Sequence, residues 1–421
     1  MDVLVFNPGS NSLKAGIVAC RNPQSSASDG TSLIEVIVEG IGNEPRLSVY
    51  SGKSIAHTEV LQARNFGEAS AAILRWLEHH RHDRAPAWSL DQIQCVGIRV
   101  VHGGPRFTYP VKLTAEVERE IINLSKWAPL HNKRSVEILF PIRCRFQDVP
   151  FFAVFDTAFH STIPQQAATY AIPFELSKKH SIRRYGFHGI SHRYLMERYA
   201  AIVNKKPDQL RLITTHLESG CSITAIANGR SVDNTMGITP LEGLMMGSRC
   251  GDVDPSLIPF LAQQEHIAND DVMTLLQKNS GLLGVSGKSL DTRVLMREYD
   301  TDSRVHLAME MFSYRVLKAI GAYLGVLQGA DAVIFGGGIA ENTPLVRQRV
   351  CDGLRWCGLE IDEEQNRTLI DVEGRLSTGK SPIQAYVIPT DETLQIAHEC
   401  SQIAGTESRQ SRESQQAKGK D

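Results

Sequence analysis

The sequence predicts an α/β protein built from two similar domains, and three stretches carry this prediction. The first is an apolar run at 3–6 that leads through a turn of Asn, Pro, Gly and Ser residues into a second run at 13–18. A continuous apolar run is typical of a strand buried on both faces. The stretch 210–229 repeats this strand–turn–strand pattern, and 330–338 is a strand that ends in three glycines. A glycine-rich turn between a strand and a helix often binds phosphate.

Composition and charge narrow the class of protein. The chain has 421 residues, enough for two or three domains, and its 42% hydrophobic and 22% charged residues are typical of globular proteins. The formal net charge of -2 gives no electrostatic basis for binding nucleic acid or an anionic membrane. The cysteines form no CxxC pair, and neither a secretory leader nor a membrane-length apolar run is recognisable. We therefore expect a soluble, cytoplasmic protein without a zinc site or a disulfide framework.

The remaining elements follow from the spacing of apolar residues along the chain. Helical spacing is found at 67–80, 114–127, 192–204 and 305–328. Short apolar runs predict buried strands at 96–101, 150–155 and 384–388. A final helix is expected to end near Ile403. The stretch 405–421 is polar and charged with a single alanine as its aliphatic residue, which predicts a disordered tail.

Charged residues in or beside these strands and turns are the candidates for chemistry. Five of them stand in apolar or glycine-rich surroundings, namely Arg99, His131, Asp156, His188 and Arg249. Each alone is more often structural than functional. Together with Lys14 of the first turn, the two arginines and two histidines fit an anion-binding site. Oxygen ligands for a hard cation such as Mg²⁺ are available from Asn7, Asp156 and Glu392.

This combination favours phosphoryl transfer over other chemistries. In that reaction the transition state spreads negative charge over phosphate oxygens, so catalysis depends on positioning and on positive groups. The chain has no GxxxxGK[ST] phosphate-binding loop, no zinc motif and no Ser-His-Asp set at nucleophile-elbow spacing. A phosphoryl-transfer enzyme without a P-loop is therefore the interpretation that the residues favour.

Eight motifs make the chain similar to the acetate kinase family, which belongs to the actin-like, sugar-kinase-like ATPase superfamily. They are NPGSNSLK at 7–14, RVVHGG at 99–104, APLHN at 128–132, FDTAFH at 155–160, RRYGFHGISH at 183–192, MGITPLEGLMMGSRCGDVDP at 236–255, GGGIAEN at 336–342 and PTDE at 389–392. The resemblance extends from Val3 to about Ile403 and leaves out only the tail.

The resemblance implies both a fold and a reaction. The fold would be two duplicated actin-like, ribonuclease H-like domains with the active-site cleft between them, 1–155 with 386–404 and 156–385, followed by the tail 405–421. The reaction would be direct in-line transfer of phosphate from ATP to acetate, giving acetyl phosphate and ADP. Mg²⁺, with Mn²⁺ as a substitute, would be the cofactor, and the enzyme would be a homodimer that binds neither nucleic acid nor membrane.

Site residues are implied by matching each motif position to the family pattern. The metal positions match Asn7 and Glu392, and the catalytic positions match Arg99, His131, Asp156, His188 and Arg249. Arg99 would bind the carboxylate, while His188 and Arg249 would stabilise the transferring phosphoryl group. The pocket for the acyl group matches Arg99, Val101, Leu130, Phe187 and Pro240. The nucleotide-binding positions match Lys14, His216, Leu217, Glu218, Ser219, Gly220, Asp291, Thr292, Arg293, Gly338, Ile339, Ala340, Glu341 and Asn342.

The chain also departs from the family pattern. The family usually has HLGNG where this chain has Glu218 and Ser219 within HLESG, and GIGEN where it has GIAEN. Ile98 stands where histidine is common. A carboxylate in a loop that approaches phosphates raises the alternative of a phosphoryl donor other than ATP, although we expect Glu218 to turn away and pair with a cation.

Two alternatives to acetate kinase remain open at this stage. A related kinase could act on propionate or another short-chain carboxylate, but the bulk of Val101 favours acetate. A non-catalytic actin-like nucleotide-binding protein would keep the nucleotide loops without needing Arg99, His188 and Arg249 together.

Overall fold

The computed structural model describes residues 1–21, 27–52, 54–80, 88–128 and 131–418, and these form two compact units. Unit 1 comprises Met1–Ala158 and the segment that begins at Asp391. Unit 2 comprises Phe159–Thr390. The chain therefore leaves the first unit, builds the second, and returns to the first.

Unit 1 contains an eight-stranded sheet. Its strands are β1 (Asp2–Pro8), β2 (Leu13–Ala19), β3 (Thr31–Glu39), β4 (Arg46–Ser51), β5 (Ser54–Val60), β6 (Ile93–Val100), β7 (Val111–Lys112) and β8 (Phe151–Phe155), and their order is β5-β4-β3-β2-β1-β6-β8-β7. β1, β6 and β8 are mutually parallel, whereas β2 is antiparallel to β1. The helices before the chain leaves this unit are α1 (Phe66–His79), α2 (Ala115–Asn123), α3 (Asn132–Glu137) and α4 (Leu139–Arg145).

Unit 2 contains a six-stranded sheet. Its strands are β9 (Arg211–Leu217), β10 (Cys221–Ala227), β11 (Arg230–Asn234), β12 (Ala332–Gly336), β13 (Gly374–Arg375) and β14 (Gln384–Val387), in the order β11-β10-β9-β12-β14-β13. Its helices are α5 (Gln165–Ala168), α6 (Phe174–His180), α7 (Gly189–Ile202), α8 (Leu257–Glu265), α9 (Asn269–Lys278), α10 (Gly281–Ser286), α11 (Thr292–Leu295), α12 (Ser303–Leu327), α13 (Gly338–Asn342), α14 (Pro344–Asp352) and α15 (Glu363–Thr368). The last helix of the chain, α16 (Glu392–Lys418), belongs to unit 1.

The two sheets share one topology. The order β3-β2-β1-β6-β8 in unit 1 has the same sequence of antiparallel and parallel pairings as β11-β10-β9-β12-β14 in unit 2. In each unit the strand–turn–strand repeat predicted from the sequence forms the first two strands. The predicted duplication of an α/β domain is therefore confirmed.

Local sequence explains why the helices begin where they do. The Asn65 side chain accepts a hydrogen bond from the Glu68 amide before α1, and the Thr114 side chain caps α2 in the same way. Such caps satisfy amides that have no partner within the helix. The apolar face of α1, which includes Ile73 and Leu77, is buried in the unit 1 core.

α16 packs closely on the unit 1 sheet because Gly97 has no side chain. A Cβ at this position in β6 would lie 2.8 Å from Cys400 Sγ and 2.9 Å from Ile396 Cγ2, both on α16. Ile396 and Cys400 are fully buried. The close approach positions the start of α16, and thus Glu392, beside the end of β1.

The C-terminal stretch differs from the sequence prediction. Residues 405–418, expected to be disordered, continue α16 as far as Lys418, and 419–421 lie outside the described residues. The stretch has no proline and is rich in Glu, Gln, Arg and Lys, which favour helix. Extending an existing helix avoids the unfavourable nucleation step, so polar residues can continue it without a core of their own.

The points where the chain crosses between units also differ from the prediction. Asp156 belongs to unit 1, where its amide donates to Val100 O at 3.0 Å. β14, which ends at Val387, pairs in parallel with β12 and so belongs to unit 2. Backbone hydrogen bonds, which the side-chain pattern does not report, move each boundary by a few residues. Among the described residues, no helix combines the length and apolar character needed to cross a membrane.

Candidate active site

The candidate residues of unit 1 gather at one edge of its sheet. β1, β6 and β8 are parallel, so their carboxyl ends lie at the same edge, where ligands commonly bind in α/β proteins. Asn7 is near the end of β1, Arg99 near the end of β6, and Asp156 directly follows β8. Glu392 is added by the first turn of α16.

Arg99 and Asp156 form a two-point ion pair. Arg99 Nε donates to Asp156 Oδ1 at 3.1 Å, and Arg99 Nη2 donates to Oδ2 of the same carboxylate. The Asp156 side chain is 1% exposed and that of Arg99 12%. A planar guanidinium matches the two oxygens of a carboxylate, so this contact fixes the orientation of both groups.

Asn7 joins this pair to Glu392. Its Oδ1 accepts a hydrogen bond from Arg99 Nη1 at 3.0 Å, and its Nδ2 donates to Glu392 Oε2 at 2.7 Å. The carboxylates of Asp156 and Glu392 are thus connected through the side chains of Arg99 and Asn7. Within the described residues no group of three or more His, Cys, Asp or Glu side chains could enclose a metal ion. The oxygen donors present fit Mg²⁺, which typically takes one or two protein carboxylates together with waters and substrate phosphates.

Lys14, expected to contact nucleotide phosphate, lies opposite Asn7 in the register of β1 and β2. Its Nζ is 2.6 Å from Glu35 Oε2. Burial lowers the pKa of Lys14, but the charges of Glu35, Asp391 and Glu392 outweigh that effect, so the pKa lies above its ordinary value. The ammonium group is therefore protonated at neutral pH.

The residues expected to line the acyl pocket are mostly buried. Val101 directly follows β6 and is 4% exposed, and Phe187 in unit 2 is also buried. Leu130 lies outside the described residues. His131 precedes α3, whose first residue, Asn132, exchanges two hydrogen bonds of 3.0 Å with the backbone of His102. This anchor holds the start of α3 against the chain that leaves β6.

The candidate residues of unit 2 gather around the turn between β9 and β10. A Cβ built on Gly220 of that turn would lie 3.2 Å from His188 Nε2 and 3.2 Å from Arg249 Nη1. The imidazole and the guanidinium therefore both lie beside a residue that has no side chain. His188 immediately precedes α7 and has a left-handed backbone, with φ of 56°. That conformation is uncommon outside glycine, Asn, Asp and His, and it is often found at functional sites.

A backbone carbonyl positions the guanidinium of Arg249. Its Nη1 donates to the carbonyl of Pro240 at 3.1 Å, so the expected pocket residue Pro240 contacts the arginine directly. Burial lowers the pKa of Arg249. A guanidinium stays protonated at neutral pH even so, because its ordinary pKa lies far above neutrality. A half-buried, permanently positive group near His188 favours binding of an anion.

His188 is also held by two neighbours. Its Nδ1 lies 2.8 Å from Ser222 Oγ, and its ring stacks on that of His216 with centroids 4.2 Å apart. Ser222 Oγ is in turn 2.8 Å from His192 Nε2, and His192 Nδ1 is 2.8 Å from Thr214 Oγ1. Burial, followed by the charges of His160 and His216, lowers the pKa of His192 well below its ordinary value.

The segments expected to bind nucleotide lie in unit 2. Within the β9–β10 turn, the Glu218 carboxylate is 61% exposed and its Oε2 is 3.5 Å from His216 Nε2. A Cβ on Gly338, at the start of α13, would be 4.0 Å from Glu218 Cγ. The turn and α13 are therefore neighbours. Leu217 is fully buried at the end of β9, whereas Ser219 is exposed.

Two carboxylates in these segments are engaged within the protein. Glu341 Oε1 accepts from the Gly337 amide at 2.8 Å and from the Thr390 amide at 3.0 Å. Asp291 caps α11 and is paired with Arg293, whose Nη2 is 2.7 Å from Asp291 Oδ2. The other members of these segments are the buried Thr292, Ile339 and Ala340 and the exposed Asn342. Glu341 therefore fixes the glycine turn before α13.

Comparison with known proteins identifies the family. The model of the acetokinase family matches residues 2–398. This chain belongs to the acetokinase family. An acetate kinase of Solibacter usitatus is 44% identical over 403 residues, which cover 95% of this chain and 97% of the relative.

Solved structures of the acetokinase family agree with the fold. The crystal structure of Porphyromonas gingivalis acetate kinase has a TM-score of 0.86 and 34% identity, and the match covers 96% of this chain and 99% of that one. A propionate kinase from Francisella tularensis has a TM-score of 0.84 and 35% identity, covering 94% and 98%.

Sequence reasoning missed residues that support the candidate ones in this acetokinase-family chain. They are Ser222, His192 and Thr214 behind His188, Asn132 behind His131, and Arg134, whose Nη1 donates to Gly9 O at 3.2 Å in the first turn. One signal was available, because His192 follows His188 by four residues and such residues share a helix face. Ser222 and Thr214 gave no signal, since buried strands commonly contain serine and threonine.

Proposed function

We propose that the protein is an acetate kinase that transfers a phosphoryl group reversibly between ATP and acetate. In the forward direction a carboxylate oxygen of acetate forms a bond to the γ-phosphorus of ATP as the bond from that phosphorus to the β–γ bridging oxygen breaks. The products are acetyl phosphate and ADP. Acetate is already ionised at pH 7, so no side chain has to remove a proton from it.

The observation that best supports this function is that His188 Nε2 and the guanidinium of Arg249 both lie beside Gly220. Arg249 Nη1 donates to Pro240 O and Met246 Sδ, so the other guanidinium nitrogens keep their protons for a phosphoryl group. Donors that point at a phosphoryl group lower the barrier, since charge accumulates on its equatorial oxygens in the transition state. We assign this role to His188 and Arg249. The absence of a Cβ at Gly220 leaves the donors accessible to the oxygens of a nucleotide.

For the acceptor substrate, Arg99 of unit 1 is our candidate for the group that binds the acetate carboxylate. Its guanidinium already has a carboxylate-binding geometry toward Asp156. Nη1 donates to Asn7 Oδ1 and Pro8 O, so a substrate carboxylate would share the Nη2 side of the guanidinium with Asp156. Asp156 acts as the positioning residue for Arg99.

A divalent metal is implied by the family, and we propose that it is Mg²⁺. Asn7 and Glu392 would hold it, with Asp156 nearby in the same hydrogen-bonded group. When bound, such an ion neutralises part of the charge on the nucleotide phosphates. The protein itself holds these oxygens in a fixed arrangement through Arg99 and the start of α16.

Acetate is the substrate that the acyl pocket residues favour, and propionate is the second candidate. Val101 is a β-branched, buried residue, and its stiff side chain limits the depth of a pocket. The similarity to a Francisella propionate kinase supports retaining the alternative. One methylene group in such a pocket changes specificity by only about 1–3 kcal/mol.

A homodimer and a cytoplasmic location complete the proposal. α8 has no fully buried residue, and Phe260 on it is 57% exposed. An apolar helix surface of this kind is typical of a subunit interface, so Phe260→Asp is expected to give a monomer in light scattering.

All eight cysteines are free, as in proteins of a reducing compartment.

The function is tested by trapping the product. Purified protein is incubated with ATP, Mg²⁺ and acetate, propionate or butyrate, and the acyl phosphate is captured as its hydroxamate. We expect product with acetate, less with propionate and least with butyrate at equal concentrations. Arg249→Ala, which removes a phosphoryl-facing donor, is expected to lower kcat by about 100-fold or more. Failure to form any hydroxamate in the unmodified protein would overturn the proposal.

A further inference from the structure

Three consecutive hydrogen bonds connect His188 to buried residues outside the candidate site, and we call this series the line. Ser222 Oγ lies 2.8 Å from His188 Nδ1 and 2.8 Å from His192 Nε2, and His192 Nδ1 lies 2.8 Å from Thr214 Oγ1. Ser222, His192 and Thr214 are all fully buried. They come from three neighbouring elements, β10, α7 and β9. All of these residues lie in unit 2.

The number of protons in this line restricts its direction. Each hydroxyl group has one proton to donate, and a neutral imidazole has one N–H. His192 is neutral at pH 7, because burial and the charges of His160 and His216 lower its pKa. Its single N–H therefore points either to Ser222 or to Thr214. That choice decides whether the protons of the line run toward His188 or away from it.

Thr214 selects the direction toward His188. In the described part of the chain, His192 Nδ1 is the hydrogen-bond partner of Thr214 Oγ1. If His192 donated to Thr214, the hydroxyl proton of Thr214 would be buried without an acceptor, which is unfavourable. If Thr214 donates instead, every proton has an acceptor. Thr214 then donates to His192, His192 Nε2 donates to Ser222, and Ser222 donates to His188 Nδ1.

A His188 that accepts at Nδ1 must carry its own proton on Nε2 when it is neutral. Nε2 is the atom that lies beside Gly220, as the guanidinium of Arg249 does. The groups that face the His188 ring include Ser222 on β10, His216 on β9 and Arg249, and Glu218 lies beyond His216. A second positive charge next to Arg249 is disfavoured by repulsion. The neutral ring with the proton on Nε2 is thus the form that donates to an anion at least electrostatic cost.

We propose that Ser222 and His192 are positioning residues that hold the proton of His188 on Nε2, with Thr214 setting the direction of the line. His188 then presents a hydrogen-bond donor to the phosphoryl group whether it is neutral or charged. This inference rests on the proposed function only for its catalytic consequence. The tautomer of His188 can be measured without turnover.

The first test is ¹⁵N NMR of protein labelled at histidine, which distinguishes a protonated from a bare ring nitrogen. The His188 signals are assigned by their loss in His188→Asn. At neutral pH we expect His188 with its proton on Nε2 in the unmodified protein, and a mixture of both tautomers in Ser222→Ala and in Thr214→Val. A proton on Nδ1 in the unmodified protein would overturn the inference, whether or not any variant folds.

The second test is the pH dependence of kcat at saturating ATP and acetate. In the unmodified protein both forms of His188 donate through Nε2, so its titration is expected to leave kcat unchanged. In Ser222→Ala the neutral form loses its fixed tautomer, so kcat should be lower at the alkaline end of the profile, where an imidazole is neutral, than at the acidic end. One neutral hydrogen bond changes the ratio of the tautomers by about fivefold. A mixture near one to one leaves about half of the neutral His188 with its proton on Nε2, so we expect a loss of about twofold at pH 8. The KM for each substrate should change less than kcat.

A matched control and a rescue separate this role from a general loss of packing. Ser231 makes an equivalent buried contact, since its Oγ is 2.8 Å from His160 Nδ1, but it does not reach His188. Ser231→Ala should leave both the His188 tautomer and the pH profile unchanged. His192→Gln supplies an amide donor near the position of Nε2 and should keep the flat profile, whereas His192→Leu should not. An equal loss of kcat at every pH in Ser222→Ala, with the tautomer unaltered, would refute the positioning role.

Discussion

Arg99 and Asp156 are joined by a two-point ion pair at the edge of the unit 1 sheet, with Arg99 Nε 3.1 Å from Asp156 Oδ1. The aspartate is almost completely buried, and the arginine also donates to Asn7. A buried ion pair of this kind adds little net stability compared with apolar residues, but removing one partner is costly. The main effect of the pair is to fix the orientation of the Arg99 guanidinium.

The first prediction concerns binding of acetate by Arg99. Arg99→Ala should raise the KM for acetate by about 10- to 100-fold, because a hydrogen bond to a charged group contributes about 1.5–3 kcal/mol. Arg99→Lys should recover only part of this, since an ammonium group cannot bind Asp156 at two points and a substrate carboxylate in the planar arrangement of a guanidinium. The KM for ATP should change much less. Steady-state kinetics with each substrate varied in turn measures both, and an unchanged dependence on acetate in Arg99→Ala would contradict the assignment.

The second prediction concerns Asp156. Asp156→Asn keeps the shape but leaves Arg99 without its counter-charge, so we expect kcat/KM to fall by about 100-fold or more. Because acetate needs no base, the variant should lose activity without losing an acidic limb from its pH–rate profile. Asp91→Asn is the control, since Asp91 also pairs with an arginine but is 66% exposed. It should leave activity unchanged. Selective loss of an acidic limb in Asp156→Asn would instead indicate proton transfer.

Much of the fold was predictable because the apolar runs are long and clear. The repeated strand–turn–strand units at 3–18 and 210–229 gave the duplication, and they form β1–β2 and β9–β10. The charged candidates were also visible, because an arginine inside an apolar strand is unusual. Their grouping in unit 1 follows from parallel strands that end at the same edge.

The supporting contacts were not predictable because they depend on pairs of elements distant in sequence. The Glu341 carboxylate accepts hydrogen bonds from the amides of Gly337 and Thr390. Thr390 is 49 residues further along the chain, so the motif around Glu341 could not predict this contact. Ser222 reaches His188 only because β10 packs beside the start of α7. Low apolar content likewise predicted disorder at 405–418, where the structure continues a helix.

The third prediction concerns the contact between α16 and β6. Gly97→Ala should lower the free energy of unfolding by about 1–3 kcal/mol, because its Cβ would be too close to Cys400 and Ile396. Gly325→Ala is the matched control, since nothing lies within 4 Å of the added Cβ and the residue is inside α12. It should stabilise by about 0.5–1 kcal/mol. Chemical denaturation of both variants measures the difference, and equal effects would refute the close packing.

The fourth prediction concerns the size of the acyl pocket. Val101→Ala removes two methyl groups and should raise the ratio of kcat/KM for propionate to that for acetate by about 3- to 10-fold. Val100→Ala is the control, because Val100 is equally buried but its side chain alternates to the other face of the chain. It should destabilise the protein similarly without changing the ratio. If the ratio stays constant in Val101→Ala, other residues set the depth of the pocket.

The last prediction concerns Glu218, where the family usually has glycine. Its carboxylate is 3.5 Å from His216 Nε2, and its Cγ lies near Gly338. The Glu218 side chain therefore lies near both His216 and the start of α13, two segments expected to bind nucleotide, and its carboxylate faces His216. An exposed carboxylate is well screened by water and salt, so its repulsion of ATP phosphates should be small.

We expect Glu218→Gln, which removes only the charge, to change the KM for ATP by less than about threefold. The double variant Glu218→Gly with Ser219→Asn, which restores the usual family loop, should behave similarly. Pyrophosphate should be inactive as a donor in all forms, because Gly338 leaves space for the nucleoside. Glu218 would instead face the phosphates if Glu218→Gln bound ATP at least tenfold more tightly. Activity of the unmodified protein with pyrophosphate would show that this loop selects a different donor.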